Sequence, residues 1–365
     1  MKKEKSSPSP APQSPVSGRK KKRRTASRVL LTLLIVLVAI GAAVAIAIRS
    51  IPKAIIDSNI QHTSDMTESE VEVTPDLPPV WEVRNIALFG VDQEAGSVGR
   101  SDAMIIVSID RTNNKIKMTS LSRDSLVPIE GHGEEKLTHA WAYGQARLAI
   151  KTINQNFGMN ITDYAYVNFG ELMGVVDYIG GVQLDVDAAE MSFLNENHVY
   201  TQGFYDQTIE PLSAPGVQQL NGAQALLYAR DRTNGGDTTR TARQREVLMA
   251  MYQRVREQPL SKLPSTLARV LRLCHTNMNS DELLDIATWA LTANPTITSL
   301  HMPTEDMECW NGIIDRERGW VRVYDLDQAK TVLHNFIYET DTEADATVSD
   351  TSTDTTTGDT TSDPE

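Results

Sequence analysis

The sequence has few of the residues that bind transition metals. Only two of its 365 residues are cysteine and seven are histidine, and the histidines are scattered along the chain. Neither H-E-x-x-H nor C-x-x-C occurs in it. This pattern argues against zinc-dependent hydrolysis.

Acidic residues outnumber basic residues in the middle of the chain. Residues 1–28 hold ten Lys or Arg against one acid, whereas residues 339–365 hold nine acids and no base. These ends cancel, so the residues between them carry the formal net charge of −13. An acidic central region argues against binding to nucleic acid. Both ends lack the apolar residues of a core, and we predict a disordered basic arm and a disordered acidic tail.

One long apolar run follows the basic arm. Residues 29–48 carry no charge and are close to the length that a helix needs to cross a hydrocarbon core of about 30 Å, which predicts a transmembrane helix. The alternative is a cleaved signal peptide, which the Ala-x-Ala steps at 43–45 and 45–47 would suit, although such apolar regions normally end by about 15 residues. Basic residues stay on the cytoplasmic side of a membrane, so the run RKKKRR places the N-terminus inside and the rest of the chain outside.

The outer part divides by composition. Residues 49–80 become rich in proline and acid and are predicted to form an extracellular stalk, and residues 81–338 are long enough for one domain with a single core. The two cysteines, Cys274 and Cys309, both fall in this domain. They either form a disulfide, whose loop closure would contribute about 3–4 kcal/mol, or remain buried free thiols.

Predicted strands and helices alternate along this domain. Helices are predicted at 138–158 with Gly158 as the stop signal, at 171–179, and from Asn221 as N-cap. The pattern favours an α/β fold, a three-layer α-β-α domain, and the hairpin-length link at 111–114 makes its central sheet mixed. Short apolar runs predict strands at 85–92, 103–110, 115–124, 164–169 and 182–186.

The stretch DTTRTARQREVLMAM (237–251) is predicted to be a helix with Asp237 as its cap. One face of this helix carries apolar residues in its later turns but Arg240, Arg243 and Gln244 near its start. Cations are unfavourable at a helix N-terminus, which is the positive end of the helix dipole. An anion is therefore expected there, either a protein carboxylate or a ligand.

Further charged residues fall at the ends of predicted strands and helices. Such ends line the binding crevice in α/β folds. They are Asp92, Arg100, Asp102, Arg123, Arg230 and Arg232. Guanidiniums gathered at one place would bind phosphate oxygens, and Asp92 and Asp102 would suit a Mg²⁺ ion that shares its ligands with phosphate. A structural network of Arg and Asp would give the same pattern.

These segments resemble the LytR-CpsA-Psr (LCP) family. In order, the resemblance is carried by NIALFGVD, GRSDAMIIVSID, MTSLSRD, KLTHAWAYGQ, DYIGGVQLDV, LNGAQALLYARDR and DTTRTARQREVLMAM. Ser122 departs from the family pattern, in which many members have proline before the Arg-Asp pair. The resemblance implies a membrane-anchored extracellular phosphotransferase. It would use Mg²⁺ to move a glycan phosphate, of wall teichoic acid, capsule or a similar polymer, from a polyprenyl-pyrophosphate carrier to peptidoglycan.

The resemblance also implies roles for individual residues. Asp92 and Asp102 would bind the metal, and Asp237 could accept the proton of the acceptor hydroxyl or serve only as a helix cap. Segments 171–179 and 247–255 could line a slot for the prenyl tail or pack as ordinary core. The pyrophosphate-binding set would be Arg100, Arg123, Arg230, Arg232, Arg240, Arg243 and Gln244, of which Arg123 is expected to matter most in the transition state.

Two other functions are compatible with the same residues. A membrane-anchored sensor would bind polyprenyl pyrophosphate without turnover, and a pyrophosphate hydrolase would use water in place of the acceptor. The paired acids favour an enzyme, because a pure anion binder gains nothing from carboxylates beside its phosphates.

Overall fold

The computed structural model describes residues 57–58, 60–75, 77–78, 82–92, 98–202, 209–316 and 318–339. The strands are β1 (Gln61–His62), β2 (Val83–Asp92), β3 (Arg100–Asp110), β4 (Lys115–Leu121), β5 (Leu126–Ile129), β6 (Gly133–Lys136), β7 (Asp163–Asn168), β8 (Val182–Val186), β9 (Gly216–Leu220), β10 (His275–Thr276), β11 (Thr296–Met302), β12 (Cys309–Ile313) and β13 (Trp320–Tyr324). The helices are α1 (Leu137–Phe157), α2 (Phe169–Tyr178), α3 (Ala188–Gln202), α4 (Gly222–Arg230), α5 (Gly236–Arg256), α6 (Leu263–Arg272), α7 (Ser280–Ala293) and α8 (Leu326–Tyr338).

Seven strands form a central sheet in the order β1-β10-β7-β2-β3-β4-β11. β2 runs parallel to β7 and antiparallel to β3, which is antiparallel to β4, so the predicted mixed sheet is confirmed. The pairing of Asp92 with Arg100 and of Val91 with Asn168 brings the ends of β2 and β7 to the start of β3. One edge of the sheet therefore carries several of the charged strand ends.

Helices pack against both faces of this sheet. On one face, Phe89 and Ile106 join a buried cluster with Ile150 of α1 and Leu333 of α8. On the other face, Ile109 packs with Trp289 of α7 in a second cluster. Alternate residues of each strand point to opposite faces, which is why these strands are apolar nearly throughout.

The helix ends were predicted with mixed success. Gly158, with a φ of 64°, stops α1, and Asn221 caps α4 through a reciprocal pair of hydrogen bonds with Gln224, so both predictions are confirmed. The prediction that Asp237 caps α5 is wrong. The helix begins one residue earlier, at Gly236, and Asp237 lies within its first turn.

Part of the predicted stalk belongs to the domain. β1 pairs with β10 in the central sheet, Val71 is fully buried in the main core, and the Thr74 amide donates to the Met159 carbonyl at 2.8 Å. The boundary predicted at residue 81 is therefore wrong, because the domain already includes residues near 61. At the other end, α8 ends at Tyr338, where the domain was expected to end.

The predicted basic arm (1–28) and transmembrane helix (29–48) lie outside the described residues, as does the acidic tail after residue 339. Among the helices that the structure does describe, none has both the length and the apolar character needed to cross a membrane.

Two further expectations differ from the structure. The strand predicted at 182–186 forms, but as β8 it pairs only with β9 in a separate two-stranded sheet. Cys274 and Cys309 are both free thiols, so the predicted disulfide is wrong for this structure and the alternative of two free thiols holds.

Candidate active site

Charged residues from several elements surround one cavity of about 490 Å³ at the edge of the sheet where β2 ends and β3 begins. Five arginines and two aspartates line it. The structure thus brings together eight of the residues predicted for the site: Asp92, Arg100, Asp102, Arg123, Arg230, Arg232, Arg240 and Gln244. Phe169, which was not among the predicted site residues, also lines this cavity.

Two carboxylates lie against the guanidinium of Arg123. Its Nη1 donates to Oδ1 of Asp102, and its Nε lies 3.6 Å from Oδ2 of Asp124. Burial disfavours the charged guanidinium, but Asp102 and Asp124 outweigh that effect and raise the pKa of Arg123. The side chain is therefore charged at any physiological pH, and it is held against the cavity wall.

Arg240 is the buried cation of the cavity. Its side chain is 4% exposed and forms an ion pair with Asp237, three residues earlier on α5, while its buried Nε has no hydrogen-bond partner among the described residues. Burial, together with the nearby Arg123 and Arg232, lowers the pKa of Arg240 to about 10. Protein carboxylates thus compensate this cluster of guanidiniums incompletely, as expected for a site that receives an anion.

Three further arginines complete the charged wall. Arg100 and Arg232 are exposed, and neither forms an ion pair within the described part of the chain. The guanidinium of Arg230 lies 4.5 Å from the centre of the Phe169 ring, a cation–π contact that orients it. Phe169 directly follows β7, so its position at a strand end was the signal that could have revealed it.

Arg243 does not belong to this site, and its predicted role in binding pyrophosphate is wrong. Its side chain is 3% exposed and already neutralised, with Nε 2.8 Å from Oε1 of Glu190 and Nη1 3.1 Å from Oδ2 of Asp231. Nη1 also donates to the Asp231 and Thr233 carbonyls. Arg243 therefore joins α5 to α3 and to the end of α4.

Asp237 is close to the cavity but does not line it. Its Oδ1 faces Arg240, and its Oδ2 accepts a hydrogen bond of 3.1 Å from the hydroxyl of Ser122. Ser122, the residue that departs from the family pattern, is itself fully buried. These contacts make Asp237 a counter-ion that positions Arg240, and they do not favour its predicted role as a base.

A polar network of hydrogen bonds packs against the start of α5. Nη1 of Arg322 donates to Nε2 of His301 at 3.2 Å, so the imidazole hydrogen is on Nδ1 and is donated to Oγ1 of Thr241 at 3.0 Å. The Thr241 hydroxyl in turn donates to the Thr238 carbonyl. Burial, and then Arg322 and Arg245, lower the pKa of His301 to about 4, which keeps this ring neutral. A role for His301 could not be predicted from the sequence, since its partners lie 60 and 21 residues away along the chain.

An apolar slot of about 200 Å³ continues from the charged cavity between the sheet and helices α2, α5 and α6. Gly90, Ala103 and Gln244 line both spaces, so the two are contiguous. Of the two segments predicted to line such a slot, one contributes Leu172 and Val175. The other contributes Val247, Leu248 and Met251. Met173 instead packs in the core, as the alternative interpretation expected.

Asp92 and Asp102 are the candidate metal ligands, and both line the cavity. Within the described ranges, no three His, Cys, Asp or Glu side chains are grouped to hold a metal. A Mg²⁺ ion typically takes one or two carboxylates and completes its shell with water and phosphate oxygens. Asp92 and Asp102 can supply the carboxylates of such a site, provided that a bound ligand supplies the phosphate oxygens.

The comparisons with known proteins agree with this geometry. A sequence model described as the LytR_cpsA_psr family matches residues 53–330. The chain belongs to this family. The resemblance found in the sequence is therefore confirmed.

Relatives in the LytR_cpsA_psr family carry names that describe a transferase. The chain is similar to a polyisoprenyl-teichoic acid–peptidoglycan teichoic acid transferase TagU from Bacillus cereus, with 27% identity over 63% of this chain and 74% of the relative. It is 31% identical to the TagU of Oceanobacillus iheyensis over 63% of this chain and 69% of the relative.

The fold is also that of solved LytR_cpsA_psr structures. One is the family protein YwtF (TagT) with bound octaprenyl pyrophosphate lipid. It superposes with a TM-score of 0.56 and 22% identity, covering 76% of this chain and all of the other. At this identity the likeness shows the fold, an α/β domain with a mixed central sheet.

Proposed function

We propose that this chain is a membrane-anchored extracellular phosphotransferase that moves a glycan phosphate from a polyprenyl-pyrophosphate carrier to a hydroxyl of peptidoglycan. The observation that carries the proposal is the junction of a guanidinium-lined cavity with an apolar slot. A diphosphate bonded to a prenyl chain has the same two parts, in the same order. The names of the TagU relatives and the lipid bound to TagT support this choice.

In the proposed reaction, the acceptor oxygen forms a bond to the phosphorus that carries the glycan. The bond from that phosphorus to the oxygen bridging the two phosphates breaks. Polyprenyl phosphate leaves with the bridging oxygen, and the acceptor hydroxyl loses its proton. The product is a phosphodiester between the glycan and peptidoglycan.

The arginines would bind the diphosphate and neutralise charge as it develops on the transferring group, which is the main protein contribution in phosphoryl transfer. Arg123 is suited to the transferring phosphate, because Asp102 and Asp124 hold it in one position. Asp92 and Asp102 would hold Mg²⁺ against the phosphate oxygens, and the ion would supply further charge neutralisation. Asp102 would then serve both Arg123 and the metal.

The proposed location of the domain outside the membrane rests on segments of the sequence that lie outside the described residues. The apolar run at 29–48 and the basic residues before it support a single membrane span with the domain outside. Such an anchor would keep the apolar slot near the membrane in which a polyprenyl carrier resides.

The proposal predicts a specific product. The full-length chain in detergent, given a lipid-linked saccharide pyrophosphate, a peptidoglycan oligomer and Mg²⁺, is expected to release polyprenyl phosphate. Mass spectrometry of the oligomer should show the added glycan phosphate, and chelation of Mg²⁺ should slow the reaction. Asp102→Asn keeps the shape of the side chain but removes its charge, so it should abolish transfer and retain part of the lipid binding.

Each rival function gives a different result in this experiment. Binding of the lipid without turnover under every condition would contradict the transferase and favour a sensor. Release of phosphorylated glycan at the same rate with and without peptidoglycan would contradict it in favour of a hydrolase.

A further inference from the structure

A second groove, of about 570 Å³, lies near the edge of the sheet beside α1. Four aromatic residues line it together with hydroxyl, amide and imidazole groups. Five of its lining residues belong to the segment KLTHAWAYGQ (136–145), which supplies no residue to the catalytic cavity. The aromatic residues are Trp141, Tyr143, Tyr164 and Tyr166, and the polar ones include His62, Thr63, Ser64 and Gln145.

The groove and the catalytic cavity lie near each other at the start of α1. At the start of α1, the hydroxyl of Thr138 donates to the carbonyl of Ser101 at 2.8 Å, and Ser101 lies between Arg100 and Asp102. Trp141 follows Thr138 by three residues on the same helix, a rise of about 4.5 Å. Val98 of the groove is likewise only two residues from Arg100 of the cavity, although the two spaces share no lining residue.

A break in α1 shapes the groove. Gly144 and Gln145 have non-helical backbone angles, and Gln145 has a φ of 52°, in the left-handed region. A Cβ on Gly144 would lie 2.5 Å from Cβ of Leu148, so only glycine fits there. The break leaves the side chains of Tyr143 and Gln145 on the surface, and Tyr143 is 45% exposed.

The chemistry of the groove differs from that of the cavity. Arg147, the one guanidinium among its lining residues, already has a carboxylate partner in Glu70 at 2.7 Å, and the imidazole of His62 lies 3.5 Å from Asp65. Aromatic rings supply flat apolar surfaces with polar edges. Trp141 and Tyr164 are buried, so the exposed ring of the groove is that of Tyr143, one face of which is stacked on His132 at 3.9 Å between ring centres. A pyranose ring is complementary to such a surface, since its C–H face is apolar and hydroxyls surround it. A free phosphate or a diphosphate would find no uncompensated cation among the residues that line this groove.

We infer that this groove binds the saccharide strand of the acceptor, and thereby places one of its hydroxyls at the catalytic cavity. The inference rests on the proposed function, because that reaction requires a second, polysaccharide substrate. The near-neutral groove suits a glycan, whereas the arginine-lined cavity suits the pyrophosphate of the donor. The two substrates are thus recognised by two separate sites of different chemical character.

The test compares Tyr143→Ala with Tyr178→Ala in the full-length chain in detergent. Tyr178 is a matched control, because it is 44% exposed and lines neither the groove nor the cavity. Tyr143→Ala is expected to lower kcat/KM for an uncrosslinked peptidoglycan oligosaccharide about tenfold, as loss of one aromatic contact would. Its binding of geranylgeranyl pyrophosphate, measured by native mass spectrometry, should stay within about twofold of wild type, which also shows that the variant is folded. Tyr178→Ala should change neither quantity.

Direct binding separates this inference from the proposed function. An oligosaccharide of alternating N-acetylglucosamine and N-acetylmuramic acid without stem peptides, titrated against the wild-type chain and followed by NMR, should bind to wild type and more weakly to Tyr143→Ala. This result would support the groove even if no transfer were detected. Equal binding by both proteins, or binding of a stem peptide but not of the bare oligosaccharide, would overturn the inference.

Discussion

Arg123→Ala is expected to lower the rate of glycan phosphate transfer about 10³-fold, which corresponds to about 4 kcal/mol in the activation free energy. Asp102 and Asp124 hold the guanidinium in the cavity wall, so under the proposed function it would neutralise charge on the transferring phosphate without having to reorganise. The rate is to be measured as product formed at saturating donor. Arg123→Lys keeps the charge but loses the planar fork of donors, so it should recover only part of the rate.

Arg256→Ala provides the control for this prediction. Arg256 is an exposed arginine at the end of α5, and its guanidinium lies 5.5 Å from the centre of the Tyr252 ring. Its removal should leave transfer within about twofold of wild type, as for most surface substitutions. If Arg123→Ala also transferred within tenfold of wild type, the assignment of Arg123 to the transition state would be wrong.

Substitutions of Arg240 and Arg243, both on α5, are expected to change the free energy of unfolding by different amounts. Arg243→Met should lower the free energy of unfolding by about 3–5 kcal/mol, because it leaves the buried carboxylates of Glu190 and Asp231 without their cation. Arg240→Met should leave it within about 1 kcal/mol of wild type. Arg240 is buried with an unpartnered Nε and a lowered pKa, so the folded protein gains little from its charge. Its counter-ion Asp237 keeps the hydrogen bond from Ser122 and the nearby charge of Arg123.

Chemical denaturation followed by circular dichroism measures both changes. Arg256→Met, on the same helix but exposed, should change the free energy of unfolding by no more than about 0.5 kcal/mol. Equal losses of stability in Arg240→Met and Arg243→Met would contradict the distinction between a ligand-binding and a structural arginine.

Arg240 and Gln244 illustrate what the sequence could predict. They are four residues apart, hence on one side of a helix, and a cation near a helix N-terminus lies at the positive end of the helix dipole. Both arguments need only local geometry. The charged edge of the sheet could be predicted for the same reason, since Asp92 ends β2 and Arg123 lies two residues after β4.

Arg243 shows where this reasoning fails. It lies about 100° around the helix from Gln244, so a broad stripe includes both residues although only one faces the cavity. Its partner Glu190 is 53 residues away, and sequence periodicity carries no information on such a distant pair. The same limit applies to β1, whose pairing with His275 and Thr276 converts part of the predicted stalk into a strand of the sheet.

The start of α5 was misplaced for a local reason. Gly236 has a φ of 66°, which glycine adopts readily, and it lets the chain enter the helix before Asp237. Asp237 then turns its carboxylate toward Arg240 on the next turn. A preference for aspartate at the N-cap could not anticipate this, because a cap and a first-turn acid have nearly the same sequence signature.

The most direct test of the account is a titration of the full-length chain in detergent with geranylgeranyl pyrophosphate, followed by native mass spectrometry. The account predicts one bound molecule per chain, much weaker binding of both inorganic pyrophosphate and geranylgeraniol, and loss of the lipid adduct in Arg240→Met. Binding of geranylgeraniol as strong as that of the pyrophosphate, or no adduct with any of the three, would contradict a joint site for a diphosphate and its prenyl chain.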